Sequence, residues 1–180
     1  MLCIKIPAQE FWDENSNEFI HTKETTLTLE HSLVSISKWE SKWCKPFLSK
    51  EPKTTEETFD YIKCMTLTQN VPPETYRLLT NENILEIKEY IDNPHTATTF
   101  HTNQNGPKSN ETVTSELVYY WMVTLNIPWE AQKWHINRLL TLVRVCQIKM
   151  APPKKMSQRD LMNRNAALNA ARRQKLHSKG

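Results

Sequence analysis

Several residues in this chain are of types that could do chemistry, and the spacing of each group decides what it can do. His95 and His101 stand six apart in a polar stretch. A zinc site needs four converging thiolate or imidazole donors, commonly two of them a few residues apart, and no cysteine accompanies this pair. They read as solvated loop histidines. His135 and Cys146 offer a base and a thiol, but positions eleven apart on one helix are separated by about 16 Å, so they cannot meet. Glu56 and Glu57 follow Thr54-Thr55, which makes them first-turn residues favoured by a helix dipole rather than an acid/base couple. No serine lies in a nucleophile-elbow context. The chain reads as a non-enzymatic protein with no cofactor and no metal.

Trp39 and Trp43 alternate with Lys38, Lys42 and Lys45, superficially the pattern of a surface that stacks single-stranded nucleic acid. At helical spacing the tryptophans and lysines point to different sides, so core packing is the simpler account. Gly106 and Gly180 are the only glycines in 180 residues. Phosphate-cradling loops need glycine where the backbone must approach a ligand closely, so a nucleotide-dependent enzyme is not expected.

Charge is distributed unevenly. Residues 151–180 hold eight Lys or Arg against one Asp, a formal +7, which leaves −4 for residues 1–150 of a chain whose net charge is +3. A basic segment gains little by packing on itself, so this arm is expected to dock onto something else. Leu161, Leu168 and Leu176 line one stripe of a helix of about five turns beginning near Ser157, and Arg164, Arg172 and Lys175 fall within or beside that stripe. A core helix would not place arginines there. A helix that binds a surface both apolar and acidic would. A protein partner, a solvated terminus and nucleic acid are the three readings of this arm; nucleic acid is the weakest, because no aromatic residue or recognised fold accompanies the cations.

The elements expected to carry these groups form a mostly helical α+β domain over residues 1–150, followed by the basic arm at 151–180. Leu2, Ile4 and Ile6 alternate, Leu27 and Leu29 repeat the period, and Asp13-Glu14-Asn15-Ser16-Asn17 is a turn signal, which predicts a small antiparallel hairpin or meander over 1–31 packed on a helical bundle. From Ser32 the period becomes helical through Leu33, Ile36, Trp39, Trp43 and Phe47, limited by Pro46. Thr54 and Glu57 form a capping box before Phe59, Ile62 and Met65. Short helices follow at 74–79 and 82–90, then a loop or weak hairpin at 93–111. Ser115 to Asn126 is expected to be a central helix apolar all round. A further helix beginning at Pro128 carries Trp129, Ile136, Leu139, Leu140, Val143 and Cys146 on one side, with Trp134, Arg138 and Val145 opposite as a second patch for the arm or a neighbouring subunit.

Cys3, Cys44, Cys64 and Cys146 are widely spaced and read as free, partly buried thiols of a reducing compartment. The most apolar run, Leu117 to Ile127, is too short to cross a bilayer, and acidic residues interrupt any secretory h-region near the N-terminus. No membrane association is expected.

The order Trp39-Glu40-Ser41-Lys42-Trp43, Tyr119-Tyr120-Trp121-Met122, Trp134-His135-Ile136-Asn137-Arg138-Leu139-Leu140, Pro152-Pro153-Lys154-Lys155-Met156-Ser157 and Arg164-Asn165-Ala166-Ala167-Leu168-Asn169-Ala170-Ala171-Arg172-Arg173 resembles small proteins of the structural gene block of tailed phages infecting low-GC Gram-positive bacteria. Within that block it looks most like a tail assembly chaperone, with a head or tail virion component as the rival. The first resemblance implies a protein of the host cytoplasm that binds the tape measure protein and brings tail tube subunits to it. The second implies a virion subunit strapped to its neighbours by the arm. A nucleic-acid-binding accessory protein is the third alternative, and self-association into a homo-oligomer stays open. Partner contact is then expected at Trp129, Trp134, Arg138 and Val145 on the body, and at Leu161, Arg164, Leu168, Arg172, Arg173 and Leu176 on the arm.

Overall fold

A computed structural model of the chain describes residues 1–13, 18–100, 112–151 and 158–176. The fold is α+β and mostly helical, and the chain divides into two compact units, Met1–Gln147 and Ile148–Gly180.

The first unit opens with four strands, β1 (Leu2–Ile6), β2 (Gln9–Asp13), β3 (Glu18–Thr22) and β4 (Thr25–Leu29). Of the expected hairpin or meander the strands form the hairpin, as two nested antiparallel pairs, β1 with β4 and β2 with β3. The register follows from burial. Leu2 stands opposite Leu29 and Ile4 opposite Leu27, with Ile6 opposite Thr25, so one face of the β1/β4 pair is aliphatic but for Thr25, while Cys3, Lys5 and Thr26 point out to water. The turn expected at 13–17 falls largely outside the described residues.

The strip 28–32 is held on both sides by backbone bonds. Leu67 N donates to Thr28 O (2.8 Å) and Glu30 N to Met65 O (3.0 Å) on one side, and Ile136 N donates to His31 O (2.8 Å) on the other. Ser32 then caps α1 (Leu33–Trp43), its hydroxyl accepting from Ser35 N while the Ser35 hydroxyl accepts from Ser32 N. Leu33, Ile36 and Trp39 are buried. α1 stops at Cys44, which takes the left-handed conformation (φ 51) usually given to glycine.

The Thr54–Glu57 capping box starts α2 (Thr55–Met65) as expected. Tyr61, Ile62 and Met65 point into the core, and Trp39 Nε1 donates to Glu57 O (2.8 Å), fixing α1 against α2. A 3-10 turn over Pro73–Leu78 leads to α3 (Asn81–Asp92), which packs on β1. Residues 93–100 are irregular, and the rest of the expected loop at 101–111 lies outside the described residues.

α4 (Ser115–Thr124) carries apolar residues around its circumference, as expected, but only one side is enclosed. Ser115, Val118 and Met122 are its buried residues, whereas Tyr120 is 61% and Val123 64% exposed. The helix packs one side on α1, and aromatic and aliphatic residues occupy its outer side too. It ends in a Schellman motif, with Ile127 N bonded to Met122 O (2.8 Å), Asn126 N to Val123 O (3.2 Å), and Asn126 left-handed at φ 51. Pro128 does not begin one long helix either. A separate 3-10 turn spans Trp129–Lys133, and α5 (Ile136–Met150) begins after Trp134 and His135, because the Ile136 amide is bonded to His31 O in the tertiary fold.

The second unit contains α6 (Gln158–Leu176), a helix of 19 residues with none buried. Among the described residues no helix is long and apolar enough to cross a membrane.

Candidate partner-binding surfaces

The exposed side of α4 and the 3-10 turn after it both carry large apolar side chains. Trp129 is 53% exposed and its ring stacks on Tyr119 at 5.3 Å, while the Tyr119 hydroxyl donates to Gln132 Oε1 (3.2 Å). Tyr120 and Val123 lie one helical turn apart on the open side of α4. Large aromatic rings in contact with each other and with water are the residue types that anchor protein interfaces. The sequence pointed to Trp129. It missed Tyr120 and Val123, for which the signal was available, since a helix that is apolar on every side need not be enclosed on every side.

Trp134 and Arg138 are brought together, with the guanidinium carbon 4.4 Å from the indole centroid. Trp134 is half-buried and lies outside α5, so the expectation that it shares a helical side with Val145 is corrected. Val145 is half-buried on α5, about 10 Å further along the axis than Arg138. On α6, Leu161, Arg164, Leu168, Arg172, Arg173 and Leu176 are all exposed.

Three histidines converge where the sequence placed none together. The rings of His31 and His135 are 5.0 Å apart, and those of His135 and His95 4.1 Å. Thus His95, expected to be simply solvated, is exposed but rests on His135, while His101 lies outside the described residues. His31 Nδ1 is hydrogen-bonded to the buried Tyr61 hydroxyl. His135 Nδ1 accepts from Asn137 N (3.3 Å), which leaves Nε2 protonated to donate to Tyr90 O (3.1 Å). The Tyr90 hydroxyl donates to Glu30 Oε1 (2.8 Å). Burial, with help from the neighbouring imidazoles, lowers His31 to about 3 and lowers His135 in the same direction. Both are neutral at pH 7, and both nitrogens of His135 are committed to backbone, which suits a packed network better than a proton shuttle. Among the described residues no group of three or more His, Cys, Asp or Glu is arranged to hold a metal.

Two buried carboxylates are structural. Glu40 accepts from Phe47 N (2.7 Å) and from Ser115 N (2.7 Å), tying the end of α1 to the first turn of α4. Glu57 accepts from Lys45 Nζ (2.6 Å) and from Thr54 N (2.8 Å), and these bonds, Lys45 first, hold its carboxyl below the usual range. Asp60 is lowered in the same way, chiefly by Lys42. Lys42 also lies 5.6 Å from the Trp43 ring, so this pair is closer than helical spacing alone implied. Cys3 and Cys44 are exposed, unlike the half-buried Cys64 and Cys146, because Cys3 falls on the outer side of β1 and Cys44 at a helix terminus.

No protein-family model, curated protein or solved structure matches the chain.

Proposed function

We propose that this chain is a non-enzymatic tail assembly protein of a tailed phage, a chaperone that binds the tape measure protein and recruits tail tube subunits to it. The observation that carries the reading is α6, a basic helix with leucines and arginines in one sector and no buried residue. A helix of that composition gains free energy only when something covers it. The stacked Tyr119 and Trp129, with Tyr120 and Val123 exposed on α4, supply a second contact suited to the apolar helices of a tape measure. The commitment of His31 and His135 to internal hydrogen bonds supports a non-catalytic role.

The same exposed arm also fits a virion subunit strapped to its neighbours. Mass spectrometry of purified virions separates the two. A chaperone is absent from them, and tens of copies per particle reject the chaperone in favour of the structural role. Co-expression with the neighbouring tail genes is the positive test: the full-length chain retains a tail protein, and a chain ending at Ala151 loses it. Salt-sensitive binding to DNA in place of either result moves the assignment to the nucleic-acid alternative.

A further inference from the structure

α3 has two chemically distinct sides. At 100° per residue Ile84, Ile87 and Ile91 fall on the side packed toward the core, and Glu82, Leu85, Glu86, Glu89 and Asp92 fall in the opposite sector of about 120°. All five of the latter are exposed, Leu85 at 60%. A lone exposed leucine needs no explanation. This one, however, sits among four carboxylates, and the chain carries a counterpart.

On α6, Leu161 and Leu168 share a sector of about 120° with Arg164, Arg172 and Lys175. The charged spans also agree in length. At 1.5 Å per residue Glu82 to Asp92 covers about 15 Å, and Arg164 to Lys175 about 16 Å. Each surface is exposed in the single chain. The formal charges of the two parts of the sequence, −4 for 1–150 and +7 for 151–180, have the same complementarity.

We infer that α6 of one copy docks on the outer side of α3 of a second copy, leucines against Leu85 and guanidinium groups against the flanking carboxylates. This rests on the reading of α6 as a docking handle and adds a second copy of the chain to what it can grip. Burial of the leucines supplies the non-directional part of the affinity, and the ion pairs set register and on-rate. Since every chain carries both halves, exchange is either reciprocal, closing a dimer, or head to tail, extending a ring or row.

Sedimentation equilibrium of the full-length chain tests it. Self-association is expected, with a dissociation constant that rises roughly tenfold or more between about 50 and 500 mM salt. Glu86→Arg with Glu89→Arg, and separately Arg172→Glu with Lys175→Glu, are each expected to weaken association at least about tenfold while leaving the thermal midpoint unchanged, since all four sites are exposed. Mixing the two variants restores association, because the reversed α3 then meets the reversed α6 and the native pair is kept on the other side. A chain that stays monomeric up to about 200 µM, or association indifferent to both reversals, overturns the inference. So does a monomer whose α6 amides are protected from exchange independently of concentration, which assigns the cover to the chain's own body. If the chain is monomeric yet still needs residues 151–180 to retain a tail protein, this inference falls and the proposed function stands. A salt-sensitive oligomer that captures no tail protein gives the converse.

Discussion

Acid should loosen the first unit well before its carboxylates titrate, and His31 is the reason. Its side chain is enclosed by Phe47, Tyr61 and His135, and burial holds its pKa at about 3 against 6.5 when unfolded. The folded pKa is depressed, so between pH 6.5 and 3 the unfolded chain binds more protons at this site than the native one. Stability from a neutral buried His31 is therefore complete above pH 6.5 and is lost as pH falls. Integrating the single-site linkage gives a loss of about 2 kcal/mol at pH 5 and about 3 kcal/mol at pH 4. His135, shifted in the same direction, adds to the slope. Glu57 and Asp60, whose folded values are lowered, add further loss only below their unfolded values of 4.5 and 3.8.

Native stability of a domain this size is commonly 5–15 kcal/mol, so a loss of about 2 kcal/mol should lower the thermal midpoint by roughly 4–8 °C between pH 7 and 5. The assay is thermal unfolding followed by circular dichroism across that range, on the native chain and on His31→Gln. Glutamine retains a partner for the Tyr61 hydroxyl and does not titrate. The substitution has its own packing cost at pH 7, so the slope rather than the midpoint is read. His31→Gln should flatten the slope between pH 6.5 and 5 by about one proton. A native midpoint that does not move over that interval, or an identical slope in the variant, refutes the argument.

Four further outcomes are expected. Trp39→Ala should cost about 3–5 kcal/mol in urea unfolding, because a fully buried indole and its bond to Glu57 O are lost together, and Trp39→Phe should cost less. Thr54→Ala, which removes half of the α2 capping box, should cost about 1 kcal/mol in the same measurement. Cys44→Gly should raise stability by about 0.5–1 kcal/mol, since Cys44 is held at φ 51 where a Cβ is unfavourable, whereas Asn126→Val at φ 51 should lower it by about 1–2 kcal/mol. Ending the chain at Ala151 should leave the thermal midpoint of the body unchanged, as no residue of α6 is buried, while removing partner capture.

Local rules made much of this fold legible. Side-chain alternation set the faces of β1 and β4, and the threonine and glutamate three apart located the start of α2. What failed to show was tertiary. Pro128 offered a helix start, and the backbone bond from Ile136 to His31 moved that start by eight residues, because an amide already paired across the fold constrains the chain more than a propensity does. Nothing in sequence separation brings His31, His95 and His135 together, nor gives Glu40 two backbone amides from different elements. The candidate surfaces divide in the same way. The mixed leucine and arginine sector of α6 was readable from its own helical spacing, and none of its described residues is buried. The acidic sector of α3 was equally written in its residues, but an exposed Leu85 looks ordinary until it is set beside a helix with the complementary sector. The proposed pairing of α6 with α3 comes into view only when the two helices are compared with each other.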